Sequence, residues 1–212
     1  MRTFAIVPAK IFENAKTRLS TILDRDDRIR LSSLLLEYTL EVLSNSESLA
    51  QVVVVSADNR AKDIASSHEA IFVYEEKEKS VNSAVAIADS YCMQENAEAT
   101  IVIPHDLPLL DPSDIFKACH LAENESKCIV ICPSSRFDGT NMLLRKPLSV
   151  IDTFYDCDSY NMHVKSAVNN GVPIKLLFSK AVMSDLDTPE DAKQLANEAK
   201  ELKILEFLRQ RL

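Results

Sequence analysis

Apolar residues along the chain fall into two alternating patterns: short β-branched runs, and stretches with helical spacing. Thr3 to Val7 is a strand-length run followed by a polar loop, and from about Arg25 to Leu43 the residues Leu31, Leu34, Leu35, Tyr38 and Val42 recur on one helical face. Val52 to Val55 predicts a second strand, Arg60 to Ser66 a helix, and Ile71 to Tyr74 a third strand. Glu75 to Lys79 is a charge run, read as a solvated loop. Asn82 to Met93 is helical, Thr100 to Ile103 is a fully apolar fourth strand, Ser113 to Ala122 is a helix and Cys128 to Cys132 a fifth strand. Asn141 to Leu144 is read as a further strand, Asp158 to Asn169 as a helix and Ile174 to Leu177 as the last strand.

Continuous apolar strands alternating with helices predict an α/β fold of Rossmann-like order, a mostly parallel central sheet with helices on both faces. No Pro/Ser-rich linker, repeat or low-complexity tract divides residues 1–212, so a single domain is expected. The C-terminal stretch from Pro189 to about Arg211 reads as one helix with Leu195, Ala199, Leu202, Leu205, Leu208 and Leu212 along a stripe that Ile204 and Phe207 widen. Docking on the domain's own core is the favoured reading of that stripe. A contact between two copies, giving a homodimer, is the second.

Composition narrows the chemistry. A net charge of −8 argues against non-specific nucleic-acid binding, which needs a basic face. No apolar run approaches a membrane span, and Met1 to Lys10 lacks the features of a signal peptide, so a cytoplasmic protein is expected. The five cysteines, Cys92, Cys119, Cys128, Cys132 and Cys157, have no metal spacing and are expected to be reduced and mostly buried. Only Gly139 and Gly171 occur as glycines, which excludes both the P-loop and the glycine-rich dinucleotide fingerprint.

The polar residues left over gather after strands, where open α/β sheets bind ligands. After the first strand come Lys10, Lys16 and Arg18, cations able to clamp phosphate oxygens, although a solvated loop explains them equally well. After the fourth strand, Asp111, Pro112 and Asp114 suit a helix start, which leaves Asp106 unexplained between Pro104 and Pro108 and a plausible magnesium ligand. His105 is given no catalytic role. Thr188, Pro189 and Asp191 again suffice to open a helix, so Asp185 and Asp187, on one side of an extended segment, are free to bind a metal. Arg136 to Asn141 reads first as an Asp-Gly turn and second as a donor-rich loop for an anion; Ser159 reads first as a helix cap. No nucleophile–base pair stands out, so direct transfer between two polyanions is expected.

With VPAK at Val7 to Lys10, AKTRL at Ala15 to Leu19, DLPLLDPSD at Asp106 to Asp114, FDGTNMLL at Phe137 to Leu144, the Ser159…His163 spacing and DLDTPEDA at Asp185 to Ala192, the chain resembles the 2-phospho-L-lactate guanylyltransferase family (CofC) of coenzyme F-420 biosynthesis. The resemblance implies transfer of GMP from GTP to 2-phospho-L-lactate, or a related acid such as phosphoenolpyruvate, with release of pyrophosphate. It implies Mg2+ on Asp106, Asp185 and Asp187, and phosphates on Lys10, Lys16 and Arg18. The phospho acid would lie on Thr140, Asn141, Ser159 and His163, and the nucleoside near Ser56, Asp58 and Asn82. The family usually has glycines before the serine matching Ser159 and a Gly-Leu-Asn ending at Asn82, where this chain has Tyr155-Asp156-Cys157-Asp158 and Ser80-Val81-Asn82. The rivals are a sugar-phosphate or molybdopterin-type nucleotidyltransferase and a non-catalytic nucleotide-binding regulator of the same fold.

Overall fold

The computed structural model describes residues 1–156 and 158–212; the expectation for Cys157 lies outside the described residues. Strands β1 (Thr3–Pro8), β2 (Gln51–Ser56), β3 (Ile71–Tyr74), β4 (Ala99–Val102), β5 (Cys128–Pro133), β6 (Thr140–Lys146) and β7 (Ile174–Leu176) form one sheet in the order β3-β2-β1-β4-β6-β5-β7. All pairings are parallel except those of β6, which runs antiparallel to both β4 and β5. The reason is the short link between β5 and β6. A parallel crossover needs a dozen or more residues, and here the chain turns back at once, with the Ser134 amide bonded to the Gly139 carbonyl at 2.9 Å.

The helices are α1 (Arg25–Ser44), α2 (Asn59–Ser67), α3 (Val81–Gln94), α4 (Pro112–Glu123), α5 (Ser159–Asn169), α6 (Lys180–Met183), α7 (Pro189–Ala196) and α8 (Lys203–Arg209). Alternate strand residues supply two separate cores, as a doubly covered sheet requires. Ala5, Val7, Val52, Val54 and Ile101 pack with α1, α2 and α4, while Phe4, Ile6, Val53, Val55 and Val102 pack with α3. Ile129, Ile131 and Leu143 extend the second face against α5. Asp111 with Asp114, and Thr188 with Asp191, form the capping boxes that the sequence predicts for α4 and α7. Cys92, Cys119, Cys128 and Cys132 are free and buried, as expected.

Two expectations need correction. The predicted single helix from Pro189 to Arg211 is broken into α7 and α8. Arg209 folds back, its guanidinium donating to the carbonyls of Ala196 and Lys200 at 2.9 and 3.2 Å and to that of Glu198, which satisfies the end of α7 and holds the two helices as a hairpin. The bend lets Leu195 from α7 and Ile204, Leu205, Phe207 and Leu208 from α8 enter one cluster with Leu31 and Leu35 of α1. The stripe is therefore buried within the chain, as the docking reading held, and Ala199 and Leu212 are left exposed. Second, Glu75 is not solvated. Its amide donates to the Ser56 carbonyl at 3.0 Å, extending the β2–β3 ladder by one residue, and its side chain is 4% exposed.

Leu205→Ala is expected to lower the unfolding free energy by roughly 2–5 kcal/mol in urea titrations, and a loss below about 1 kcal/mol would contradict the docking of α8.

Candidate active site

The loop after β1 is anchored at both ends before it reaches the site. Phe12 and Leu19 are fully buried, and the Phe12 amide donates to Asp58 Oδ2 at 2.9 Å. Between them the chain makes two short 3-10 turns, Phe12–Asn14 and Thr17–Leu19, with Lys16 left-handed at φ 53° and ψ 32°. That conformation is uncommon for a side chain of this size. It is held by two ion pairs: Lys16 Nζ lies 3.0 Å from Asp106 Oδ2 and 3.0 Å from Asp187 Oδ1. Burial opposes the charge on Lys16, but Asp106 and Asp187 outweigh it and raise the ammonium above its ordinary pKa.

The carboxylates arrive from two other places on the same sheet edge. Asp106 follows β4 on a loop pinned by buried Leu107 and Leu110. Asp185 and Asp187 flank fully buried Leu186, whose amide donates to the Asp106 carbonyl at 3.0 Å, and both line the same cavity. Burial raises Asp187, but Lys16 and Arg18, the latter 3.6 Å away, bring it below the usual carboxylate range. Asp185 goes the other way. Burial and the neighbouring Asp106 raise it, against the Asn141 amide that donates to it at 3.0 Å.

Because β6 is antiparallel, its first residues rather than its last lie at this edge. Thr140 and Asn141 line the cavity, and Asn141 also donates to the Val182 carbonyl at 2.9 Å. Gly139 permits a close approach: a Cβ there would crowd the Ser134 side chain at 3.2 Å. Ser159 opens α5 beside them, behind Asp158, whose side chain does not cap the helix. Asp158 is itself left-handed, at φ 47° and ψ 45°, and its side chain accepts from no amide of the first turn; its Oδ1 accepts from the Asn161 side chain. The backbone thus takes a glycine-favouring conformation at a position where the resembled family usually has glycine. Ser80, by contrast, is extended at φ −155° and caps α3 with its own hydroxyl, so no glycine is called for there.

Together these residues line a cavity of about 340 Å³. Lys10, Lys16, Arg18 and Arg136 share the lining with Asp106, Asp138, Asp185 and Asp187, so its Lys/Arg and Asp side chains are equal in number. Lys10, Lys16, Arg18, Asp106, Thr140, Asn141, Ser159, Asp185 and Asp187 are therefore brought together. His163, Ser56, Asp58 and Asn82 are not part of the lining among the described residues. His163 lies one layer behind, where the Phe154 amide donates to Nε2 at 2.8 Å and Nδ1 lies 3.0 Å from Thr140 Oγ1. With Nε2 accepting, the neutral ring carries its hydrogen on Nδ1 and donates to Thr140, whose own hydroxyl hydrogen is left for the cavity. Asp58 caps α2 and holds Arg60 and the Phe12 amide, with Ser56 Oγ accepting from the Asp58 amide. Asn82 bonds to Asp156 and to the Tyr155 amide. Arg136, in the segment read first as a turn, and Ser134, just before that segment, also line the cavity.

Among the described residues no group of three or more His, Cys, Asp or Glu side chains is gathered closely enough to hold a metal ion. What the cavity does offer is carboxylate, amide and hydroxyl oxygens beside lysine and arginine cations, the side chains that pair with phosphate. That combination suits a reaction between anions.

The chain's relatives share that chemistry. The family model described as guanylyl transferase CofC like matches residues 3–211. The chain belongs to this family. A phosphoenolpyruvate guanylyltransferase of Rubrobacter xylanophilus is 32% identical over 195 residues, covering 92% of this chain and 94% of that protein. A 2-phospho-L-lactate guanylyltransferase of Methanothermobacter thermautotrophicus is 29% identical over 209 residues, covering 99% and 91%. Among solved structures, one described as a nucleotide-diphospho-sugar transferase from Desulfovibrio desulfuricans G20 superposes with a TM-score of 0.79 at 16% identity, covering 99% of this chain and 95% of that one. CMP:2-keto-3-deoxy-manno-octonic acid synthetase, complexed with CTP, gives 0.64 at 10% identity, each chain fully covered. The fold of this CofC-like chain is thus that of the nucleotidyltransferases.

Burial, with Arg145 nearby, holds His163 down at about 4, below its ordinary 6.5. The neutral ring is the form that fits, so its contribution is complete above the unfolded value and is lost as pH falls through 6.5 toward 4. In urea unfolding this histidine is expected to cost on the order of 3 kcal/mol between pH 7 and pH 4, and His163→Gln is expected to lack that part of the slope. Equal slopes in the two proteins would contradict the arrangement.

Proposed function

We propose that this chain transfers GMP from GTP to 2-phospho-L-lactate or the closely similar phosphoenolpyruvate, with magnesium, as a cytoplasmic step of coenzyme F-420 biosynthesis. The names of its relatives support the nucleotide and the two acceptors. The observation that carries the reading is the buried Lys16 held between Asp106 and Asp187 on the wall of a cavity whose opposite wall is Thr140, Asn141 and Ser159.

In this reaction an oxygen of the acceptor phosphate attacks the α-phosphorus of GTP, and the bond from that phosphorus to the bridging oxygen breaks to release pyrophosphate. Lys10, Lys16, Arg18 and Arg136 bind phosphate oxygens and hold the two anions against their mutual repulsion. Thr140 donates its hydroxyl to the acceptor with His163 fixing its direction. Ser159 and the uncapped first turn of α5 receive the acceptor's anionic end, since unsatisfied amides at a helix start favour negative charge.

The donor set fits magnesium. Mg2+ is commonly held by one or two carboxylates with substrate phosphates and water completing its shell, so no ready-made cage of protein ligands is required. Asp106 and Asp187 already share a cation, and Asp185 lines the same cavity beside them. When bound, the ion would neutralise phosphate charge and favour departure of pyrophosphate. Every residue in this reading lies on one chain.

Asp106→Asn is expected to lower magnesium-dependent pyrophosphate release from GTP plus either acceptor by about 100-fold or more. Its thermal midpoint and circular dichroism should remain near those of the parent. Release by the parent protein with neither acceptor would refute the transfer, and binding of GTP without turnover would instead favour a regulator.

A further inference from the structure

Beside the main cavity lies a second, of about 270 Å³, which shares Pro8, Lys10, Val81 and Tyr155 with it. Its far wall is built by Glu75, Glu78 and Lys79. It lies beyond the carboxyl ends of β1 and β3, the edge where ligands of open α/β sheets bind. Some of the polar groups around it are already engaged, while the buried Tyr155 hydroxyl has no partner among the described residues. Glu78 Oε2 accepts from the Ile11 amide at 2.6 Å, and Asp156 accepts from Asn82 at 2.9 Å.

Glu75 differs. It is 4% exposed, and its Oε1 has no hydrogen-bond partner among the described residues. A buried carboxylate oxygen without a donor is costly in a folded protein and calls for an explanation. Burial pushes its pKa up, and the Lys79 amide and charge and the Ser83 hydroxyl only partly offset this.

We propose that this second cavity receives the purine base of the nucleotide, and that Glu75 reads the N1–H and N2 amino edge of guanine. The inference rests on the guanylyl-transfer reading and deepens it by naming the residue that selects the base. Guanine presents two adjacent donors on that edge, which a carboxylate can accept together. Adenine presents an unprotonated N1 there, which a carboxylate repels, and hypoxanthine lacks the N2 donor altogether. Lys79 on the same wall is a donor of the kind that the guanine O6 accepts. Pro8, Val81 and Tyr155, common to both cavities, form the mostly apolar neck across which the ribose would run, with Lys10 reaching both sides. Sites that hydrogen-bond a ligand donor discriminate strongly against analogues lacking it, because the buried acceptor is then left alone.

The test is equilibrium binding of GTP, ITP and ATP to the parent protein and to Glu75→Gln, with magnesium and without an acceptor. The parent is expected to bind GTP at least about tenfold more tightly than ITP, and in Glu75→Gln the preference is expected to shrink to about threefold or less. An unchanged GTP/ITP ratio in the variant would overturn the proposal. If Glu75→Gln does not fold, the parent decides alone: a tenfold preference supports the reading and equal affinities for GTP and ITP overturn it. Because no acceptor is present, a protein that discriminates GTP from ITP yet turns over neither phospho acid would count against the transfer reaction rather than against Glu75.

Discussion

The site depends on one buried ammonium. Lys16 bridges Asp106, 90 positions away along the chain, and Asp187, 171 positions away, and so ties the loop after β1 to those that precede α4 and α7. Removing one partner of a buried pair leaves an uncompensated charge, which is far more costly than the pair is stabilising. The left-handed backbone at Lys16 persists because Phe12 and Leu19 fix the loop on either side. Two carboxylates that would otherwise repel one another thus share one counter-charge on the cavity wall.

The sheet determines what stands opposite. The short link after β5 forces β6 to run backwards, and this places the beginning of β6 at the edge where every parallel strand ends. Thr140 and Asn141 can therefore face Asp106 and Asp185 while the middle of the same strand is committed to the core. Toward its far end Arg145 is buried in a double hydrogen bond to Asp89 of α3, at 2.9 and 2.6 Å, with Thr100 accepting a third. His163 transmits the same order outward, connecting Thr140 to the backbone at Phe154.

Much of this was legible in the sequence because local rules governed it. Capping chemistry accounted for Asp111, Asp114, Thr188 and Asp191, and what it left unexplained, Asp106, Asp185 and Asp187, does line the cavity. The alternation of Asp185, Leu186 and Asp187 was enough to place both carboxylates on one side. Features set by distant partners were not legible. The break between α7 and α8 is fixed by Arg209 reaching back to the end of α7, which helical periodicity cannot register. Glu75 resembles its charged neighbours until a single extra ladder bond turns it inward. His163, which the resemblance assigns to the acceptor, instead stands behind Thr140 of the cavity wall, and Asp58 and Asn82 serve the loops that frame the cavity. The glycines expected before Ser159 are absent, yet Asp158 takes up the left-handed turn with its side chain bonded to Asn161.

On the proposed reading, Lys16 occupies the carboxylates until a metal-bound nucleotide competes for them. The most direct measurement is Mn2+ binding by the nucleotide-free protein, compared between the parent and Lys16→Met. Loss of the resident cation is expected to strengthen Mn2+ binding by about tenfold or more, since Asp106 and Asp187 then lack a counter-charge. Equal or weaker binding by a folded Lys16→Met would contradict the account.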